Sequence, residues 1–263
     1  MDLKLNGKRA LICGGSSGLG RAVATALVAE GAHVALLSRD EGKLQAVADT
    51  LNASGPGKAV VVTADLADHE ALLKATDRAE HMLGGHIEIL LNNTGGPPPS
   101  GVSGLEPAVW RDHFESMVLS IFRLTDRVLP AMRAAGWGRI LNVASITVVE
   151  PSAALGVSNT LRASVAAWAK TLANEVGPDG VTVNTLLPGR IDTPRIERLD
   201  QATAERTGTT PQEARAESVK SIPVGRIGTT EEFGATAAFL ASPLAAYITG
   251  SLIRLDGGAI KAI

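Results

Sequence analysis

Short apolar runs alternate with longer amphipathic segments along the chain. The segments carry apolar residues at intervals of three and four, the period of an amphipathic helix. The runs have the length of buried strands in a parallel sheet, and a last, shorter run brings them to about seven: residues 9–13, 32–38, 59–64, 87–91, 137–144, 181–187 and 252–255. This repeat predicts an α/β fold, a doubly wound parallel sheet of about seven strands with helices on both faces, in three α/β/α layers.

Several predicted helices have recognisable starts and faces. Asp68 can cap one helix, and Thr229 with Glu232 can form a capping box before another. Long helical regions are predicted over 107–135 and 155–176. The apolar stripe of the second consists of Leu161, Val165, Trp168, Ala169, Leu172 and Val176.

A glycine-rich turn follows the first apolar run. Gly14, Gly18 and Gly20 have the spacing Gly-x-x-x-Gly-x-Gly, between that strand and the helical segment 21–31. In this context Gly14 allows the tight turn, Gly18 lets a pyrophosphate approach the backbone, and Gly20 lets the helix pack on the strand. The helix N-terminus offers unpaired N–H groups and a positive dipole end to phosphates. The turn therefore predicts a nucleotide site.

Composition narrows the range of functions. The formal net charge is −2 and no run of Lys and Arg occurs, which argues against a nucleic-acid or anionic-membrane partner. No apolar stretch reaches the ~18 residues of a membrane span, and residues 1–8 carry no signal-peptide core, so a cytoplasmic location is expected. The single cysteine, Cys13, excludes an internal disulfide and is expected to be a small buried side chain rather than a redox nucleophile. The five histidines lack metal-ligand spacing, so no metal site is expected.

Further motifs follow later runs. They are Asn92-Asn93-Thr94-Gly95, Pro188-Gly189-Arg190-Ile191-Asp192-Thr193 and Asp256-Gly257-Gly258. Together with the glycine turn they resemble the short-chain dehydrogenase/reductase family over nearly the whole chain, 8–258, although Cys13 stands where that family usually has Thr. The overall similarity is nearest to its 3-oxoacyl-carrier-protein reductase branch. The resemblance implies a Rossmann-like fold and an NAD(P)-dependent oxidoreductase acting on a small-molecule carbonyl/alcohol pair.

The resemblance also implies a coenzyme site. Asp65 and Leu66 are expected beside the adenine, and Ile191 and Thr193 at the nicotinamide carboxamide. The expected coenzyme-binding residues are Gly14, Ser16, Ser17, Gly18, Leu19, Gly20, Ser38, Arg39, Asp65, Leu66, Asn92, Thr94, Gly95, Pro188, Gly189, Ile191 and Thr193.

The second strand ends in Ser38-Arg39, without an acidic residue. An acidic side chain there would accept hydrogen bonds from the ribose 2′-hydroxyl and favour NAD. A guanidinium fits a 2′-phosphate, so NADP(H) is expected in preference to NAD(H). The alternative is that Arg39 is a solvated residue at the start of the next helix.

A single Rossmann-fold domain is expected over 1–263, since the strand–helix repeat runs through the chain. Its coenzyme-binding part is expected at about 8–145 and its catalytic helix at about 155–177. The segment of about 190–222 is polar with few apolar positions. Its place after the nicotinamide turn predicts a substrate lid rather than a surface excursion.

The catalytic residues of the family are largely replaced. The resemblance implies a Ser at Ser145, a proton-donating Tyr at the position of Ser158, a Lys at that of Arg162 and an Asn at that of Met117. Serine is far less acidic than tyrosine, and Arg162 will not release its proton. Ser158 and Arg162 nevertheless lie one helical turn apart and face the same way. The candidate catalytic residues are therefore Ser145, Ser158 and Arg162.

Three functional hypotheses follow. The first is an oxidoreductase in which these three residues polarise the carbonyl and water or a lid residue supplies the proton. The second is an NADP(H)-binding sensor or assembly partner without turnover. In the third, the substrate brings its own acidic group, which pairs with Arg162.

The predicted helix over 155–176 also bears on assembly. Small residues on the face of the 155–176 helix opposite its stripe would allow close packing between subunits, and family members often form dimers or tetramers that way. A homotetramer or homodimer is therefore expected; the alternative is an exposed face chosen for helix propensity. The residues of this face are Ala163, Ala166, Ala167, Lys170 and Ala173.

Overall fold

A computed structural model describes residues 1–262 of the chain. Within this range seven strands form one sheet: β1 Arg9–Cys13, β2 His33–Ser38, β3 Lys58–Thr63, β4 Ile89–Asn92, β5 Gly138–Val143, β6 Val181–Pro188 and β7 Leu252–Leu255. The helices are α1 Gly18–Ala29, α2 Glu41–Ser54, α3 His69–Leu83, α4 Pro107–Phe114, α5 Ser120–Ala134, α6 Gly156–Val176, α7 Pro194–Thr207, α8 Pro211–Val219 and α9 Thr230–Ala241. The predicted α/β fold is confirmed, and each predicted strand lies within two residues of its predicted bounds.

The order of the strands across the sheet is β3-β2-β1-β4-β5-β6-β7, and every neighbouring pair is parallel. The order reverses between β1 and β4. In doubly wound sheets the crevice beyond the carboxyl ends of the strands at such a reversal is where ligands bind. The topology therefore fixes where the site has to be sought.

Two apolar layers hold the helices on the sheet. One packs α1, α2 and α9 on one face, and the other packs α3, α5 and α6 on the opposite face. Cys13 lies in the second layer, 1% exposed, and burial raises the pKa of its thiol to about 12. The expectation of a buried packing side chain is confirmed.

The predicted helix starts at Asp68 and Thr229 are also confirmed. Asp68 accepts a hydrogen bond from the N–H of Ala71, and Thr229 and Glu232 form a reciprocal capping box. In contrast, the single helix predicted over 107–135 is wrong in detail. A π-helical turn, Glu115–Leu119, separates α4 from α5. The apolar spacing does not reveal such a turn, because α4 has no buried residues whose phase could be compared with that of the buried face of α5.

The small-residue face of α6 is narrower than predicted. Ala163, Ala167 and Lys170 are exposed, but Ala166 and Ala173 are buried against the rest of the subunit. These two alanines lie at the margin of the stripe, where helical spacing alone does not decide between core and surface. The segment predicted as a lid contains α7 and α8, and a capping box of Thr210 and Glu213 that the sequence reading missed begins α8.

None of the helices in residues 1–262 is long and apolar enough to cross a lipid bilayer.

Candidate active-site cleft

The loops after the strands enclose a cleft of about 580 Å³ at the carboxyl edge of the sheet. Residues following β1 to β6, together with parts of α4, α6 and α7, line it. Most of the predicted site residues meet here: Gly14, Ser16, Ser17, Gly18, Leu19, Ser38, Arg39, Asp65, Leu66, Thr94, Gly95, Ser145, Ser158, Arg162, Pro188, Gly189, Ile191 and Thr193. The elements predicted to bind coenzyme and substrate thus share one open space.

The glycine turn needs its glycines for steric reasons. Gly14 and Gly18 have φ angles of +66° and +53°, in the region that side chains disfavour. A Cβ on Gly14 would lie 2.6 Å from Nδ2 of Asn93, and a Cβ on Gly20 would lie 2.3 Å from the carbonyl oxygen of Gly14. Gly20 itself does not line the cleft, and its lack of a side chain lets α1 approach the turn.

The N-terminus of α1 faces this turn. Ser17 occupies the N-cap position, but its side chain makes no capping hydrogen bond. The first N–H groups of a helix have no intrahelical partner, and they carry the positive end of the helix dipole. The start of α1 is therefore suited to an anionic group such as a pyrophosphate.

The far end of the cleft carries charged groups that are open to solvent. The guanidinium of Arg39 lies 3.7 Å from the carboxylate of Asp65, and the two side chains are 79% and 49% exposed. An exposed pair at this distance is weak, so Arg39 is free to turn to another anion. The Oγ of Ser38 next to it is buried and has no hydrogen-bond partner among the described residues.

The two adjacent asparagines at the end of β4 lie in different surroundings. Asn92 was predicted at the coenzyme, but its buried side chain lies outside the cleft. Its Nδ2 donates to Thr125 Oγ1 at 3.1 Å and to Asn142 Oδ1 at 2.9 Å. Asn93 lines the cleft instead and donates to the carbonyl oxygen of Cys13 at 3.2 Å. Asn92 therefore joins β4 to β5 and α5, and Asn93 braces the glycine turn.

The turn after β6 is fixed from two sides. Ile191 pairs with Gly228 in an isolated parallel bridge, and the hydroxyl of Thr193 donates to the carbonyl oxygen of Ile191 at 3.2 Å. A Cβ on Gly18 would lie 3.5 Å from the Thr193 side chain. The glycine turn and the turn after β6 are thus neighbours across the cleft.

The three candidate catalytic residues lie together at the other end. Arg162 Nε donates to the Ser158 hydroxyl at 3.3 Å, and its Nη1 donates to the carbonyl oxygen of Val143 at 2.8 Å. Ser145 accepts hydrogen bonds from the backbone N–H and the hydroxyl of Thr147, at 3.2 and 3.0 Å. Burial, and then the neighbouring Arg195, lowers the pKa of Arg162 to about 10. The guanidinium therefore stays charged at neutral pH.

These hydrogen bonds determine what the two serines can do. A hydroxyl has one proton to donate and two lone pairs that accept. In Ser145 and Ser158 the bonds found within residues 1–262 use the lone pairs, and no acceptor for either proton is present there. Both hydroxyls can therefore donate to an oxygen placed between them.

Sequence reasoning missed several lining residues. His113, near the end of α4, and Ser116, three residues later in the π-helical turn, line the cleft. Met117, which follows Ser116 directly, lines it as well. Arg195 and Arg198 line it from α7. The spacing of three on a helix was visible in the sequence, but the side of the 190–222 segment that faces inwards depends on the path of the chain. No group of three metal-ligand side chains exists in the described chain.

Comparison with known proteins agrees with this architecture. Residues 14–259 match the family described as "Enoyl-(Acyl carrier protein) reductase". The 3-oxoacyl-[acyl-carrier-protein] reductase of Vibrio cholerae is 37% identical over 257 residues, 97% of this chain and 98% of that protein.

Two solved structures are similar over nearly their whole length. L-sorbose reductase from Gluconobacter frateurii, in a complex with NADPH and L-sorbose, has a TM-score of 0.93 and 31% identity and covers 100% of both chains. YwfH, an NADPH-dependent reductase involved in bacilysin biosynthesis, has a TM-score of 0.92 and 28% identity and covers 97% of this chain and 99% of that one. The family match, the full-length relatives and the parallel sheet show that the chain belongs to the short-chain dehydrogenase/reductase family of oxidoreductases, in its 3-oxoacyl-[acyl-carrier-protein] reductase-like branch.

Proposed function

We propose that this protein is an NADP(H)-dependent oxidoreductase that interconverts a carbonyl compound and its alcohol. The observation that carries the proposal is the meeting of Ser145, Ser158 and Arg162 in the same cleft as the glycine turn and the turn after β6. The names of its relatives, reductases of which two are described with NADPH, point in the same direction.

The residues present suit the coenzyme. The glycine turn and the start of α1 would hold the pyrophosphate, and the unpartnered hydroxyl of Ser38 lies where an adenosine ribose is expected. Arg39 is weakly paired and would meet a 2′-phosphate, which supports a preference for NADP(H). When bound, the coenzyme supplies or accepts the hydride.

The chemistry left to the chain is the orientation and polarisation of the carbonyl. Ser145 and Ser158 would donate hydrogen bonds to its oxygen, and Arg162 would stabilise the negative charge that develops there. A proton must then reach that oxygen. Water is one source, and the imidazole of His113, the one histidine among the described lining residues, is another.

The test is NADPH consumption with a panel of ketones and aldehydes. Ser145→Ala is expected to lower kcat/KM by ~10²- to 10³-fold, because one charge-stabilising donor is lost near the reacting oxygen. NADPH binding should stay within about twofold. Equal rates for Ser145→Ala and the wild type would contradict the assigned role.

The second candidate is an NADP(H)-binding protein without turnover. The replacement of the usual Tyr and Lys by Ser158 and Arg162 is the observation that favours it. A sensor of this kind would show NADPH-dependent changes in melting temperature or oligomeric mass and no substrate-dependent oxidation. Turnover of any carbonyl that is sensitive to Ser145→Ala would decide for the enzyme.

We also infer a homodimer or homotetramer. The exposed part of the α6 face is small and flat at Ala163 and Ala167, and the large side chains of Tyr247 and Leu252 are exposed as well. Light scattering after gel filtration is expected to give two or four times the subunit mass, and a single-subunit mass would contradict the inference.

A further inference from the structure

The end of the cleft where the candidate catalytic residues lie is crowded with positive charge. Arg162 reaches it from α6, and Arg195 and Arg198 reach it from α7, where a spacing of three places them on neighbouring positions of the helix surface. We propose that these arginines bind an oxyanion carried by the substrate, a carboxylate or a phosphate next to the reacting carbonyl. This proposal rests on the proposed function and names the substrate class for it.

None of the three arginines forms an ion pair within residues 1–262. Arg162 donates to Val143 O and Ser158 Oγ, Arg195 donates to Pro97 O at 2.9 Å, and Arg198 donates to Pro194 O at 3.2 Å. These partners satisfy some N–H groups and leave the charges uncompensated. Asp65 is the one carboxylate among the lining residues described, and it lies at the Arg39 end.

Two other arginines of the region around α7 and α8 are paired with carboxylates. Arg190 forms an ion pair with Asp200, and Arg215 forms one with Asp192 at 2.7 Å. The lid therefore contains carboxylates, but they compensate arginines that do not line the cleft. The arginines that do line it are left for an anion from outside the chain.

The electrostatic cost of this arrangement points the same way. Burial and the charge of Arg195 lower the pKa of Arg162, and burial and the charge of Arg198 lower that of Arg195. Like charges that are partly removed from water destabilise the empty site. A bound oxyanion would relieve that repulsion and would be held by charge-assisted, bidentate hydrogen bonds.

The phosphates of the coenzyme are the competing source of the anion. The glycine turn already offers them a cradle, and Arg162 lies away from it, bonded to Ser158. The source is decided by titrating the protein both without NADP⁺ and with saturating NADP⁺. An anion site for substrate persists when the coenzyme is bound, and a site for coenzyme phosphate is lost.

The experiment compares matched ligands by isothermal titration calorimetry. The carboxylate pair is 4-oxopentanoate and 2,5-hexanedione, and the phosphate pair is dihydroxyacetone phosphate and dihydroxyacetone. With NADP⁺ bound, the charged member of at least one pair is expected to bind about tenfold or more tightly than its neutral partner, which is what one good charged hydrogen bond supplies.

The variants Arg195→Met and Arg198→Met are each expected to reduce that preference by about tenfold. Arg206→Met is the control, since it removes the same charge from an exposed position of the same helix; it should leave the preference unchanged. The pair of ligands that shows the preference identifies the kind of oxyanion that the site binds: a carboxylate, a phosphate or both.

Several results would overturn the proposal. They are equal affinities within both pairs, no binding of either charged ligand, a preference that survives both cleft variants, an equal loss in Arg206→Met, and loss of anion binding when NADP⁺ is present. The proposed function fails by a different result, absence of NADPH binding, and this is measured separately in the same protein.

Discussion

The replacement of Arg39 by alanine tests the coenzyme assignment most directly. Its guanidinium has one anionic neighbour, Asp65 at 3.7 Å, and both side chains are largely solvated. The loss of that exposed pair costs the free protein only about 0 to 1 kcal/mol. The variant is therefore expected to fold, and its melting temperature should stay close to that of the wild type.

The effect on NADPH is expected to be larger. A hydrogen bond to a charged group contributes ~1.5 to 3 kcal/mol, and up to about 1 kcal/mol is offset because Arg39 must leave Asp65. The remaining ~0.5 to 3 kcal/mol corresponds to a Kd for NADPH that rises ~2- to 150-fold. NADH lacks the 2′-phosphate, so its Kd should change by less than about twofold.

The assay is a fluorescence titration of wild type, Arg39→Ala and Arg78→Ala with each coenzyme. Arg78 is exposed on α3 and does not line the cleft, so its variant controls for the loss of one positive charge. The assignment of Arg39 to the 2′-phosphate is refuted if Arg39→Ala raises the Kd values for NADPH and NADH by the same factor. It is equally refuted if Arg39→Ala binds NADPH as tightly as the wild type.

Three further predictions use other parts of the cleft. Gly20→Ala is expected to weaken NADPH binding at least ~10-fold, because its Cβ would lie 2.3 Å from the carbonyl oxygen of Gly14. Gly177→Ala is the control and should not change binding, since its Cβ would meet no atom within 4 Å. Normal NADPH binding by Gly20→Ala would disprove the steric argument. Cys13 should resist alkylation by iodoacetamide at pH 8.5 until urea unfolds the protein, and rapid labelling of the native protein would contradict this. The free energy of unfolding should fall as the pH rises above 9 towards 12, because only the thiol of the unfolded chain ionises in that range. His113→Gln should lower kcat by ~10²- to 10⁴-fold if the imidazole supplies the proton, with unchanged NADPH affinity; a change below threefold would assign the proton to water.

The sheet was predictable because its signal is local. Each buried strand is a compact apolar run, and the glycine turn has a spacing that sterics explain, as Gly14 and Gly20 show. The helix starts at Asp68 and Thr229 were predictable for the same reason, since a cap and its target lie three residues apart. Local chemistry therefore determines most of the fold.

The parts that were missed depend on distant contacts. Asn92 and Asn93 are adjacent and chemically identical, and successive side chains near the end of a strand point to opposite sides. Asn92 is held inside by Thr125 and Asn142, 33 and 50 residues further along the chain. Arg195 was visible only as part of a polar lid, and its inward direction is set by the Gly96–Pro97 backbone, to which it donates.

The exchanges at Ser158 and Arg162 make sense as a pair. A lysine in the place of Arg162 would serve a tyrosine by lowering the pKa of its hydroxyl, and without that tyrosine a proton-releasing role has no target. An arginine, charged at neutral pH even with its pKa lowered to about 10, instead fixes Ser158 as an acceptor and directs the serine proton outwards. In the proposed function, the cleft would then stabilise a developing oxyanion by fixed charge and hydrogen bonds rather than by immediate protonation. Polarisation of the carbonyl and protonation of its oxygen would then be carried out by different groups. A variant that loses the proton donor should therefore keep its affinity for a carbonyl ligand, whereas a variant that loses Arg162 should bind that ligand more weakly.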